Sequence, residues 1–84
     1  MKTVKEFNEK YEKYLSKGHY GLAINNQNVI EFLDREFEEL TKIEGFSYSQ
    51  IKLKFNSARV YCEPHTIDTF RLESEIVKLL TEKC

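Results

Sequence analysis

Apolar and polar residues alternate between Ile51 and Cys62, and this pattern restricts the fold of the chain more than any other feature. The alternation is broken once, at Asn56-Ser57. Side chains of a β-strand point alternately to its two faces, so the pattern predicts an antiparallel hairpin over about residues 48–63 that turns at Asn56-Ser57. The register that buries one apolar face pairs Phe55 with Ala58, Leu53 with Val60 and Ile51 with Cys62.

The opposite face of the predicted hairpin is cationic and carries an aromatic ring. Residues 46–61 contain three basic residues and no acidic ones. Such a face can hold phosphate groups, with a ring available to stack on a base. The same charges on a solvated face protect an edge strand from aggregation, and the sequence leaves both interpretations open. The candidate ligand-binding residues are Lys52 and Lys54, which this register pairs with Tyr61 and Arg59, and Tyr48 is a further candidate for the face.

Three amphipathic helices are predicted around the hairpin. Apolar residues recur at three- and four-residue spacings over about residues 4–17, 28–43 and 68–82. Residues 20–25 fit either a short third strand or a packed loop. The predicted fold is α+β in the order α-(β)-α-β-β-α, a small antiparallel sheet packed by three helices. We expect residues 1–84 to form a single small domain.

One face of the predicted second helix is acidic and gives a second candidate surface. It could mimic nucleic-acid phosphates and block a basic cleft in another protein. More often such a face is simply the solvated side of a helix, on which Glu31 and Arg35 have the spacing of a favourable ion pair. The candidate partner-binding residues on this face are Glu31, Asp34 and Glu38.

Charge and hydropathy exclude several classes of protein. Lys and Arg total 13 and Asp and Glu total 14, so the chain is not a polycation of the histone type. No apolar run is long enough for a transmembrane helix, and the N-terminus lacks the apolar segment of a secretory signal. We therefore expect a cytoplasmic protein without membrane contact, with Cys62 and Cys84 as free thiols. A chain of 84 residues has a marginal core, so we also expect a homo-oligomer.

No arrangement of residues points to catalysis or to a metal. Cys62 and His65 have a C-x-x-H spacing, but His19 and Cys84 would have to converge on them from distant segments. A phosphate-binding loop, a dinucleotide fingerprint and a nucleophile elbow are all missing from the sequence. We expect a protein that is not an enzyme and that binds no metal and no cofactor.

The stretch from Gly21 to Tyr61, GLAINNQNVIEFLDREFEELTKIEGFSYSQIKLKFNSARVY, resembles small proteins encoded by bacteriophages. That group includes inhibitors of host defence, such as anti-CRISPR proteins, and sponges that sequester signalling nucleotides. The resemblance implies a class of role and assigns no functional residue. The first hypothesis is an inhibitor that binds a protein component of a host defence system, in the host cytoplasm. The alternatives are an oligomeric sponge for a phosphate-bearing nucleotide and a small nucleic-acid-binding regulator.

Overall fold

A computed structural model describes residues 3–55 and 57–81. The chain folds as an α+β structure of three helices and a three-stranded sheet, which confirms the predicted class. A 3-10 turn at Glu12–Tyr14 follows the first helix. The elements in chain order are α1 (Val4–Lys10), β1 (Gly21–Leu22), α2 (Gln27–Leu40), β2 (Ser47–Lys54), β3 (Ser57–Glu63) and α3 (Thr69–Thr81).

The first helix is shorter than the predicted residues 4–17. After the 3-10 turn that follows α1, the chain becomes extended at Leu15, which forms a bridge with Tyr48 of β2. The Ser16 N–H also donates a 2.8 Å hydrogen bond to the Tyr48 carbonyl. A helix continued to residue 17 would have its backbone groups bonded internally and could not make this contact.

The sheet has the order β1-β2-β3, with β2 in the centre. Strand β2 is antiparallel to β3, as predicted for the hairpin, and parallel to β1, so the third strand makes the sheet mixed where an antiparallel one was expected. The parallel pair arises because α2 lies between β1 and β2 in the chain and returns it to the same end of the sheet. Of residues 20–25, only Gly21 and Leu22 form the third strand.

The hairpin register differs from the predicted one by a shift of two residues. Lys54 pairs with Ser57, so Phe55 lies in the connection, and Asn56 lies outside the described residues. Phe55 has a φ of 57°, which is the left-handed conformation that a two-residue hairpin turn requires. A shift of two leaves the side chains of residues 51–54 and 58–62 on their predicted faces, although their partners change. The observed pairs are Leu53 with Ala58, Lys52 with Arg59, Ile51 with Val60 and Gln50 with Tyr61.

Ser49 is an extra residue in β2 that has no partner in the register of β3. Gln50 pairs with Tyr61, but Tyr48 pairs with Cys62, so the register shifts between the two. This bulge turns the side chain of Tyr48 to the same face as Ile51, and both are 0% exposed. The prediction that Tyr48 belongs to the cationic face is therefore wrong.

The helices cover one face of the sheet, and an aromatic cluster forms one end of the core. The Phe37 ring lies 5.0 Å from the Phe7 ring and 5.0 Å from the Tyr48 ring, measured between centroids. Tyr11 packs 4.9 Å from Phe7. At the other end of the core, α3 packs on β3. The buried residues there are Ala58, Val60, Leu72 and Ile76.

The side chain of Asn8 joins α1 to β1. Its Oδ1 accepts a 2.9 Å hydrogen bond from the Leu22 N–H, and its Nδ2 donates a 3.1 Å bond to the Leu22 carbonyl. The Tyr48 hydroxyl donates to the same Oδ1 at 3.2 Å. Gly21 lies directly against this amide with a φ of +77°, and a Cβ at this position would be 2.5 Å from Asn8 Oδ1.

We expect Gly21→Ala to lower the free energy of unfolding by clearly more than Gly18→Ala. Both glycines have positive φ, so each alanine costs about 1–2 kcal/mol of backbone strain. Only the Gly21 variant also displaces the Asn8 side chain, because nothing lies within 4 Å of a Cβ at Gly18. Urea denaturation of both variants measures the difference. Equal losses of stability would show that the contact between Gly21 and Asn8 is not tight in solution.

Candidate functional site

Two cations lie directly opposite each other on the outer face of the hairpin, the face that the helices leave open. Lys52 of β2 pairs with Arg59 of β3. Cβ atoms of such a pair are about 4.5–5.5 Å apart, so the two charges repel each other. Within residues 3–55 and 57–81, neither side chain forms an ion pair with a carboxylate. The pair therefore has an unneutralised positive charge that an anionic group could neutralise.

The other two predicted ligand-binding residues lie on the same outer face. Lys54 is the next outward residue of β2 and is a diagonal neighbour of Arg59. Tyr61 lies opposite Gln50 and diagonal to Lys52, and 47% of it is exposed. The alternation along the strands thus brings together all four residues, but not in the pairs that the sequence predicted. We call Lys52, Lys54, Arg59 and Tyr61 the cationic face.

Among the described outward residues of β2 and β3, the acidic one is Glu63, where β3 ends. Glu63 is the next outward residue after Tyr61, and its Oε2 lies 3.7 Å from the exposed His65 ring. The positive charge is therefore concentrated near the turn of the hairpin, at the end of the sheet farthest from Glu63. An anionic ligand would be attracted to the turn end of the hairpin.

Apolar side chains are exposed beside the turn, which the sequence did not predict. Leu53 and Phe55 were expected on the buried face, but they are 47% and 93% exposed. Phe55 lies in the turn itself, and Leu53 is on the strand just before it. Leu53 and Phe55 line a shallow groove of about 260 Å³ together with Val77 and Leu80 of α3. We call Leu53 and Phe55 the hairpin tip.

On the second candidate surface, one of the three predicted acids is buried. Asp34 is 4% exposed, so the prediction that it lies on a solvated helix face is wrong. It faces α1, where the Tyr11 hydroxyl donates to its Oδ1 and Lys10 Nζ lies 3.0 Å from the same oxygen. The other two acids are exposed but have local partners. Glu31 accepts a bond from Gln27, and Glu38 lies 3.7 Å from Lys10 Nζ.

The thiol of Cys62 is poorly suited to nucleophilic chemistry. Burial is the largest cause that raises the pKa of Cys62 to about 11, and the nearby negative charges of Glu63 and Glu73 add smaller contributions. A thiol with this pKa remains protonated at neutral pH and is a weak nucleophile. Cys84, the other predicted free thiol, lies outside the described residues.

Metal and membrane sites were also sought in the described part of the chain. There, no three His, Cys, Asp or Glu side chains are close enough to hold a metal ion. No helix in the same ranges has both the length and the apolar character to cross a bilayer. The expected lack of enzymatic activity and of a cofactor stays a prediction.

We compared the chain with models of protein families, with curated proteins and with solved structures, and none of the three gave a significant match. The resemblance to phage proteins therefore stays a hypothesis. Function must be argued from the geometry of the cationic face and the hairpin tip.

We expect Tyr11→Phe to lower the free energy of unfolding by about 1–3 kcal/mol at neutral pH, because buried Asp34 loses a hydrogen-bond donor. The free energy of unfolding of the variant should also fall less than that of the wild type as the pH rises above 10. Burial, with a smaller effect of Glu38, raises the pKa of Tyr11 from 10.0 to about 12. The folded state then holds this proton more tightly than the unfolded state, so the contribution of Tyr11 is complete below pH 10 and is lost as the pH rises towards 12.

Urea denaturation of both proteins at several pH values between 8 and about 11 tests this expectation. The difference in stability between wild type and Tyr11→Phe should shrink as the pH rises above 10. The free energy of unfolding of the variant should still decline at high pH, partly because of Tyr48. Burial also raises the pKa of Tyr48 to about 12. A difference that stays constant with pH would contradict the proposed burial of Tyr11.

Proposed function

We propose that this chain is a small non-enzymatic binding protein that docks on an acidic surface of another protein through its cationic face and hairpin tip. The observation that carries the proposal is the position of Lys52 directly opposite Arg59 without an acidic partner among the described residues. Like charges in opposite positions destabilise a hairpin. A partner that places a carboxylate between them relieves this repulsion and displaces no internal ion pair.

The apolar side chains beside these charges favour a protein as the partner. Phe55 is almost fully exposed, and Leu53 and Tyr61 are each about half exposed. Binding energy at protein interfaces is concentrated in aromatic and arginine side chains that become buried on contact. The groove between Leu53, Phe55 and α3 is open and shallow, so it suits a protruding side chain of a partner.

The resemblance to phage proteins suggests which partner to test. We propose a component of a host defence system, inhibited in the host cytoplasm because the docked chain covers its acidic surface. The exposed acids of α2 support this function less well. Glu31 and Glu38 already interact with Gln27 and Lys10, and Asp34 is buried.

A second candidate function is sequestration of a phosphate-bearing nucleotide, and the position of Tyr61 favours it. The phenol ring is a diagonal neighbour of Lys52 on the cationic face. Phosphates held by Lys52 and Arg59 would place a base within reach of this ring for stacking. A flat sheet face encloses little of such a ligand, so this function would need a second subunit of the predicted homo-oligomer over the site.

Native mass spectrometry of the protein purified from its own host tests the proposal. We expect a stable complex with a protein for the wild type, and its loss in Lys52→Glu and Arg59→Glu. The matched controls are Lys5→Glu and Arg35→Glu, which make the same charge changes at exposed positions on α1 and α2 and should leave the complex intact. Loss of the complex in all four variants would indicate a response to net charge and would contradict the assignment.

The same measurement separates the alternatives. A bound mass below 1 kDa that disappears in both hairpin variants would support the nucleotide function instead. Association with nucleic acid would fall steeply as the salt concentration rises, because counterions are released from the phosphates. A wild-type protein that carries no bound species would contradict the proposal.

Stability gives an independent prediction, because charge reversal should stabilise the hairpin while it removes binding. In Lys52→Glu the new carboxylate lies opposite Arg59, so the repulsive pair becomes attractive and the free energy of unfolding rises by about 0.2–1 kcal/mol. Arg59→Glu should give a similar gain, since its carboxylate lies opposite Lys52. The double variant restores a like-charge pair and should return close to wild-type stability.

Chemical denaturation of the wild type, the two single variants and the double variant forms a double-mutant cycle. Lys5→Glu is the control for the change in net charge. Additive effects in the cycle would show that Lys52 and Arg59 do not interact, and the argument for an unneutralised pair would fail.

A further inference from the structure

We propose that the partner binds as an extended segment, alternately acidic and apolar, which adds as a fourth strand to the free edge of β2 at residues 52–54. This inference rests on the proposed function and specifies the conformation and chemistry of the segment that is recognised. It depends on the hydrogen bonds that β2 makes on its two sides.

Strand β1 covers only the first part of β2. Its pairing ends with Leu22 opposite Ile51, after which the Ala23 N–H donates a 2.8 Å bond to the Ile51 carbonyl. The chain then leaves the sheet, since Ile24 is buried in the core and α2 begins at Gln27. On this side, β2 continues for three more residues, Lys52 to Lys54, without a neighbouring strand in the described chain.

The backbone of Leu53 points to this free edge. In an antiparallel pair, the backbone N–H and C=O groups of alternate residues point towards the partner strand. Lys54 pairs with Ser57 beside the turn and Lys52 pairs with Arg59, so the backbone groups of these two lysines point towards β3. Two hydrogen bonds confirm this alternation. The Ile51 carbonyl accepts from the Ala23 N–H on the side of β1, and the N–H of Val60, which lies opposite Ile51, donates to Glu73 on the side away from β2. No hydrogen bond within residues 3–55 and 57–81 uses the Leu53 N–H or carbonyl.

On the opposite edge of the sheet, a side chain of the molecule is already bonded to the backbone of β3. The N–H of Val60 on β3 donates a 2.9 Å hydrogen bond to Glu73 Oε2 of α3. A strand added beside β3 would have to displace this carboxylate from the backbone. The free edge of β2 has no such side chain bonded to it at Leu53, and it adjoins both the cationic face and the hairpin tip.

Charge argues against a second copy of this chain at the free edge. If two β2 edges paired in antiparallel fashion about Leu53, Lys52 of each copy would lie opposite Lys54 of the other. Such like-charge pairs are unfavourable, and lysines on an edge strand commonly prevent self-association. An acidic segment reverses the sign of both contacts.

Strand periodicity then defines the sequence of the segment. Every second side chain points to the outer face, where acids would lie beside Lys52 and Lys54. The intervening side chains point to the opposite face, beside half-exposed Leu53 and the groove at Phe55. The edge thus selects acidic residues alternating with apolar ones, and strand addition of this kind is a known mode of peptide recognition.

The probe is a fluorescently labelled peptide of about eight residues in which glutamate and valine alternate. Its binding to the full chain is measured by fluorescence polarisation. The first control has the same composition with all glutamates before all valines, and the second replaces every glutamate by lysine. We expect the alternating acidic peptide to bind more tightly than either control. Equal binding of the two acidic peptides would overturn the proposal, because charge alone would then be recognised.

Leu53→Pro tests the backbone contact itself. Proline lacks the N–H, and at Leu53 that group faces the free edge, so the pairing of β2 with β3 is kept. Leu53→Ala is the matched control, because it also removes the leucine side chain but retains the donor. We expect the peptide to bind Leu53→Pro about tenfold more weakly than Leu53→Ala, a difference of about 1.4 kcal/mol. Equal affinities in the two folded variants would overturn strand addition.

Amide hydrogen exchange of the wild type covers the case in which Leu53→Pro does not fold. The Leu53 amide should exchange rapidly in the free protein and become protected with the peptide. Rapid exchange in the complex would overturn the proposal, as would concentration-dependent protection without peptide, which would indicate a second copy at the edge. If the complex from the host responds to Lys52→Glu while the Leu53 amide stays unprotected in it, strand addition fails and the proposed function stands.

Discussion

The β-bulge at Ser49, in the middle strand of the sheet, is the constraint on which the rest of the structure depends. In an uninterrupted β2, Tyr48 would share the outer face with Gln50 and Lys52. The extra residue turns Tyr48 inward, where its ring joins Phe7 and Phe37 and its hydroxyl donates to Asn8. Asn8 in turn binds both backbone groups of Leu22, so this single irregularity connects α1, β1 and β2.

The two ends of the hairpin serve different purposes as a result. Near Tyr48, the sheet is covered by aromatic side chains and flanked by β1 and Leu15. Near Phe55, it extends past β1, and its side chains contribute little to the core. Side chains that the core does not need can change without loss of the fold. The Lys52–Arg59 pair is such a place, and the binding role proposed for it would oppose its contribution to stability.

Much of this architecture could be predicted from periodicity, because one buried face imposes a repeat on each element. The alternation around Lys52 and Arg59 placed the right side chains on the right face. It could not choose between registers that differ by two residues, since both bury the same set. The observed register has Phe55 in a left-handed conformation, which is uncommon for an aromatic residue and has no sequence signal.

Other features depend on contacts between distant segments, which a local pattern does not contain. Asp34 has the spacing of a surface acid, yet Tyr11 and Lys10 on another helix provide the partners that allow its burial. Leu53 lies on the inward side of β2 and is still 47% exposed, which the alternation alone does not indicate. The parallel orientation of β1 follows from the crossover through α2, but the length of that strand does not.

The bond between Glu73 and the Val60 backbone has a consequence for how the sheet can grow. A cross-β fibril requires each molecule to accept a neighbour at both sides of its sheet. Here the side beside β3 is occupied by the molecule's own carboxylate. A neighbouring copy that paired at Val60 would have to break this bond first, so the carboxylate opposes edge-to-edge growth of the sheet at that position.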